Sequence, residues 1–145
     1  MATRSIGTVL KMGKNEAIVK IGGLTEIGGL ELSADTIDTT TLDSDGGYRK
    51  FIGGFKDAGE VSLTGFLEIS NDPTKNGQKK MYDAFESGAT EDFTIEFPES
   101  LHAKWTFKGV VTGFTTGVSL EDSISFGATI KVSGAPKLEL TAANI

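Results

Sequence analysis

The chain has 145 residues, a formal net charge of −6, 14 scattered basic side chains, no cysteine and a single histidine, His102. That length is one domain with a core of its own; the missing thiols exclude a disulfide framework and thiolate metal sites, and a lone imidazole excludes a histidine metal cluster. With an isoelectric point near 4.8 and no basic stripe, the surface lacks the counterion-releasing footprint of a nucleic-acid binder.

At the N-terminal end, Lys11 and Lys14 interrupt the apolar residues, and no window approaches the roughly 20 apolar residues of a membrane span. The expectation is a chain made in the cytosol without an export signal. AIVKI at 17–21 and GLELS at 29–33 are short strand candidates. After them comes TTTLDSDGGYRKFIGGFKDAG at 39–59, near-neutral and rich in glycine, with Tyr48, Phe51, Ile52 and Phe55 among its polar residues. Residues 42–58 are far longer than a hairpin connection of about 2–5 residues, and a loop of ordinary length cannot bury those four side chains. Disorder does not suit a segment with three aromatics, so another chain is expected to cover them.

GEVSLTGFLEI at 59–69 alternates strictly, with Val61, Leu63, Leu67 and Ile69 on one face. In DPTKNGQKKMYDAFESG, Asp72 followed by Pro73 reads as a helix start. Met81, Ala84 and Phe85 keep helical spacing, Gly88 reads as the stop, and the firm helix is 78–87. DFTIEF supplies Phe93, Ile95 and Phe97; AKWTFKGVV supplies Trp105, Phe107 and Val111; SISFGATIKV supplies Ile124, Phe126, Ala128, Ile130 and Val132; KLEL at 137–140 is a last short strand. Many strands with one helix and no βαβ alternation predict a mainly β fold. It is an antiparallel β-sandwich or barrel with one flanking α-helix and a long inter-strand loop, a single domain over 1–145.

The chemistry-bearing motifs fail on spacing. Setting Gly46 at the obligatory glycine of a calcium loop puts Thr41, Asp43 and Asp45 at the first ligand positions, but Ile52 where the closing glutamate belongs. No two glycines are separated by one residue and no GxxxxGK[ST] occurs, which excludes the familiar phosphate cradles. The four glycine pairs, at 22–23, 28–29, 46–47 and 53–54, read as turns and hinges. His102 reads as a solvent-facing loop or strand-edge residue with no nucleophile assigned to it. Glu121 with Asp122, and Glu91 with Asp92, read as solvated turn neighbours. No catalytic residue, metal site or cofactor is expected.

The run IDTTTLDSDGGYRKFIGGFKDAGEVSLTGFL at 37–67 resembles the signature of major tail tube proteins from long-tailed, non-contractile bacteriophages. There an Asp-x-Thr strand leads into a Leu-Asp-Ser loop, an aromatic residue, a glycine-rich turn and an alternating strand. MYDAFESG, WTFKGVVTGFTTG and SFGATIKVSGAPKL resemble the family as well, so the likeness covers residues 20–138.

The resemblance implies a non-enzymatic structural protein of the virion tail, assembled in the host cytoplasm into hexameric rings. The rings stack head to tail around a tape measure protein, with tail terminator and tail-tip proteins as further partners, and viral DNA passes through the lumen without specific binding. It implies that the loop at 42–57 reaches an adjacent subunit or ring. Its contact residues are then Leu42, Asp43, Tyr48, Arg49, Lys50, Phe51, Ile52, Phe55, Lys56 and Asp57. Residues 1–16 and 137–145 become arms that order on assembly, and Glu60, Glu68, Glu91 and Asp92 are candidates for an acidic lumen. The alternatives are a tube protein of a related secretion or bacteriocin particle, and a β-sandwich binding module that does not polymerise.

Overall fold

Alternation along the chain becomes one curled sheet. The computed structural model describes residues 6–13, 18–43, 45–68, 76–120 and 123–140. In chain order these form β1 (Val9–Met12), β2 (Val19–Ile21), β3 (Leu24–Gly28), β4 (Ser33–Asp38), β5 (Phe51–Asp57), β6 (Glu60–Phe66), α1 (Gly77–Ser87), β7 (Glu91–Glu96), β8 (Ala103–Gly117) and β9 (Ser125–Leu140). Seven strands make one antiparallel sheet in the order β2-β1-β7-β8-β9-β6-β3, and β4 pairs only with β5. Of the two expected architectures, the barrel-like one describes this curled sheet, since the layer packed on its apolar face is a helix.

The period-2 pattern sets the core. Val61 and Leu63 of β6 stand opposite Ile130 and Ala128 of β9, and all four are buried. Phe93 of β7 pairs with Phe107 of β8, their rings stacked at 5.6 Å between centroids. Helix α1 closes over this surface through Met81 and Ala84, which are buried, while Lys79 and Asp83 face water as an i,i+4 ion pair at 2.7 Å. Tyr82 meets Phe114 edge-on at 5.4 Å, and Phe114 meets Phe126 at 5.3 Å. Gly88 ends the helix in the left-handed conformation at φ 68°, its N–H bonded to the Ala84 carbonyl. The helix begins one residue before the expected start; Asp72 and Pro73 lie outside the described residues.

The edges of the sheet, β2 and β3, are consecutive in the chain and joined only by Gly22 and Gly23. Three Cα steps span at most about 11 Å, so the sheet has to curl until its edges meet. Gln78 of α1 seals that corner. Its side chain is 1% exposed; Nε2 donates to the carbonyls of Gly22 and Phe66, each at 2.9 Å, and Oε1 accepts the Glu68 N–H at 2.8 Å. Gly23 sits at φ 75°, and a Cβ there would stand 2.6 Å from the Phe66 carbonyl.

Several expectations need correction. GLELS is not a strand: residues 29–32 connect β3 to β4. Its alternation arises because the connector dips Leu30 against the core and leaves Leu32 exposed. The N-terminal segment is no free arm, since β1 lies between β2 and β7 with Leu10 and Met12 in the core. Lys11 interrupts the apolar run only to point outward, 3.0 Å from Glu96. At the other end, 137–140 completes β9, with Lys137, Leu138, Glu139 and Leu140 in register with Thr106, Trp105, Lys104 and Ala103. Residues 1–5, 14–16 and 141–145 of those two segments lie outside the described residues. Finally, 42–57 is not one loop: Phe51–Asp57 is a strand, and Gly53 and Gly54 lie within it rather than in a turn.

Replacing Gln78 by Leu leaves two carbonyls and one N–H at the corner without partners, a destabilisation of about 3 kcal/mol. Denaturant unfolding measures it; a loss below about 1 kcal/mol would show that the corner does not depend on this side chain.

The exposed hairpin arm and the polar sheet face

Strands β4 and β5 form a ribbon that leaves the body of the protein. Ile37 pairs with Ile52, Asp38 with Phe51 and Ser33 with Asp57. Every residue of β4 is exposed, and of β5 only Gly54 is partly covered. Adjacent strand residues face opposite sides, so Phe51 and Ile52, both more than half exposed, leave neither face of the ribbon covered. Tyr48 is 79% exposed and Phe55 90%, and Leu42 stands fully in solvent.

Several polar groups of the arm are by contrast bonded within it. The Asp38 carboxylate accepts the Thr40 N–H at 2.8 Å and the Arg49 guanidinium at 3.1 Å. The Thr40 hydroxyl accepts the Lys50 N–H at 2.8 Å, and the Thr41 hydroxyl donates to Asp43 at 2.6 Å. A short 3-10 turn at Asp45–Gly47 passes through Gly46 at φ 66°. The Thr40 hydroxyl, helped by the Thr40 N–H and Arg49, holds the Asp38 carboxyl below its ordinary value; the Thr41 hydroxyl does the same for Asp43.

At the base of the arm, the Asp57 carboxylate accepts the Gly59 N–H at 2.7 Å and the Lys131 ammonium at 3.2 Å, which lowers its pKa in that order of importance. The Val132 N–H donates to the Gly59 carbonyl at 3.1 Å. The arm is thus tied to β9 at its root. The ten predicted contact residues divide accordingly. Leu42, Tyr48, Phe51, Ile52 and Phe55 present apolar surface; Asp43, Arg49, Lys50 and Asp57 shape the arm; Lys56 lines a cleft at its root. Ile37 belongs with the first group and escaped the sequence reading. Its exposure follows from its register opposite Ile52, which no local pattern announces.

The four predicted acidic residues do not share one surface. Glu60 and Asp92 lie on the outward face of the sheet, in register with Lys131 and Lys108. Glu91, one residue from Asp92, points to the opposite side, where a groove with Lys80 and Asp83 runs along the helix. Glu68 follows β6, its carboxylate beside Gly22 and Gly23. The outward face also carries Lys11, Lys20, Lys104 and Lys137, with Glu96 paired to Lys11 and Glu139 to Lys104. Mixed charge therefore replaces the uniformly acidic surface that net charge suggested.

His102 is exposed, in the left-handed region at φ 53°, and caps a 3-10 turn at Glu99–Leu101. Among the described residues no cluster of three or more histidine or carboxylate side chains is arranged to hold a metal, and no helix is long and apolar enough to cross a membrane.

Comparison with curated proteins finds no match to this sequence. Solved structures share the fold. A chain of the native gene transfer agent (GTA) virion is 20% identical over 95% of this chain and 99% of its own, with a TM-score of 0.75. The SPP1 tail tube protein is 11% identical over 97% of this chain and 81% of its own, at 0.67. A chain of the sheath-tube complex of an extracellular contractile injection system (PVC) is 15% identical over 97% and 93%, at 0.71. The family model for the lambda phage tail tube protein matches residues 6–139. With nearly the whole chain matched, the protein belongs to the lambda phage tail tube protein family.

Proposed function

We propose that the chain, as a tail tube protein, forms hexameric rings that stack head to tail into the tube of a phage-like tail, and that the β4–β5 arm is one of the elements by which a copy holds its neighbour. The observation that carries this reading is the division of labour in the arm. Asp38, Thr40, Thr41, Asp43 and Arg49 bond within the arm, while apolar side chains emerge on both faces. A two-stranded ribbon standing alone in water is marginally stable, so this one is built to be covered. A tail computed with C6 symmetry contains a chain of the same fold at a TM-score of 0.74, which supports the six-fold ring.

The role is structural rather than enzymatic. The partners in this reading are further copies of the chain, a tape measure protein inside the growing tube, and terminator and tip proteins at its ends, assembled in the host cytoplasm. The polar face bearing Glu60, Asp92 and their opposing lysines is assigned to the lumen. There the ion pairs of Lys11 with Glu96 and of Lys104 with Glu139 engage part of the cationic charge that transiting DNA would meet.

Phe51→Asp and Phe55→Asp each place a carboxylate in the covered surface and are expected to abolish tubes in negative-stain microscopy while circular dichroism of the monomer stays unchanged. Normal tubes from both variants would remove these aromatics from the interface. Because Asp38, Asp43 and Asp57 have folded pKa values depressed below 3.8, their contribution is present above the unfolded value and is lost as pH falls through the folded one. Light scattering from assembled tubes is accordingly expected to hold from about pH 7 to about pH 5 and to fall only below 3.8. A fall already near pH 6 would assign the titration to other groups.

A further inference from the structure

The β6–β9 ladder runs from Phe66 opposite Ser125 to Glu60 opposite Lys131, and each of its ends carries an unmatched apolar feature. Beyond the first end is the β8–β9 turn. Gly117 and Ser125 are the last pair, and past them Val118 and Leu120 stand 80% and 101% exposed. Beyond the second end β9 bulges. Ser133 pairs with Lys108 and Lys137 with Thr106, so Gly134, Ala135 and Pro136 together face Phe107 alone, with Gly134 at φ 79°.

The bulge and the root of the arm enclose a cleft of about 650 Å³, its apolar lining drawn from Leu32, Ala34, Ala58, Val132 and Pro136. Seven residue steps along β9 lead from Ser125 to Val132, about 23 Å at strand rise. The turn cannot reach the cleft of its own chain.

We infer that the cleft at the root of the arm receives the Val118 and Leu120 side chains of a second copy, giving a head-to-tail contact separate from the arm's aromatics. The two segments carry opposite charge in the sequence. Lys56 lines the cleft and makes no ion pair among the described residues, while Asp57, the acid beside it, is already engaged by Lys131. The two residues that follow Leu120 in the sequence are Glu121 and Asp122. A knob at one end and a socket at the other form a heterologous pair, which repeats without limit along one direction. The contact rests on the tube reading but not on the assignment of Phe51 and Phe55.

The chain has no cysteine, so a reporter pair can be introduced cleanly. Tubes of the Leu120→Cys/Ala135→Cys double variant, mildly oxidised, are expected to give a reducible ladder of covalent oligomers on denaturing gels. A mixture of the two single variants is expected to give dimers that join one of each, identified by peptide mass spectrometry. As a second reading, Leu120→Asp, at a fully exposed position, should leave the monomer folded and shorten assemblies at least tenfold by sedimentation. Tubes that form but stay monomeric on the gel, dimers only between like variants, or full-length tubes from Leu120→Asp each overturn the contact and leave the tube function standing. Failure of the unmodified chain to form tubes at any concentration would overturn both.

Discussion

Two residues carry the chain from one edge of the main sheet to the other, and that short reach governs the shape of everything else. Gly22 and Gly23 allow the β2–β3 corner to close only if the intervening five strands curl. Glycine is required because the Phe66 carbonyl occupies the space where a Cβ at Gly23 would go. The closed corner strands three backbone groups, and Gln78 meets all of them. A neutral amide supplies two donors and an acceptor in one planar group, so it fits where a carboxylate would bury charge. Because Gln78 belongs to α1, the same three bonds set where the helix lies on the sheet. Met81 and Ala84 follow it onto the core at helical spacing.

Closure also shapes self-association. An open sheet would offer two edges for pairing with other copies; here β2 and β3 converge at the sealed corner, and the proposed contacts fall to features that project from the body. The arm is the largest of these. It leaves through Ala58 and Gly59, and the Asp57 carboxylate ties that exit to Lys131 on β9. The longest strand pair of the sheet thus holds both the root of the arm and, at its far end, the turn that carries Leu120.

What the sequence revealed depended on whether a segment's pattern was its own. In β6, β7, β8 and β9 the buried set is the alternating set, Val61 and Leu63, Phe93 and Ile95, Phe107, and Phe126 to Val132. Those strands were legible because each packs one face on the core. Ile124 was expected with Phe126 but lies exposed just before β9 begins. β1 is four residues long, too short to declare a period, and β5 was hidden by Gly53 and Gly54, which break any alternation. GLELS misled for the opposite reason, showing a strand's pattern in a connector. Gln78 was invisible, since a polar residue at a helix start reads as solvated unless the corner it completes is already known. The aromatics at 48–55 were legible as exposed because counting residues against loop length needs no tertiary knowledge.

The balance between net charge and apolar projections decides what kind of association results. Copies each carrying −6 repel one another at long range, which opposes indiscriminate contact between apolar patches. In the proposed tube, attraction comes from short-range burial of a few apolar side chains, and exposed polar groups beside those of the arm already have internal partners, as Asp38 has Arg49 and Asp43 has Thr41. Such a surface gains little from a misaligned neighbour, because small apolar contacts do not offset the repulsion. It gains most from the one arrangement that covers both faces of the ribbon together. In the proposed tube a polymer would then grow only from correctly seated copies, with the acidic charge that weakens any single pair keeping the assembly regular.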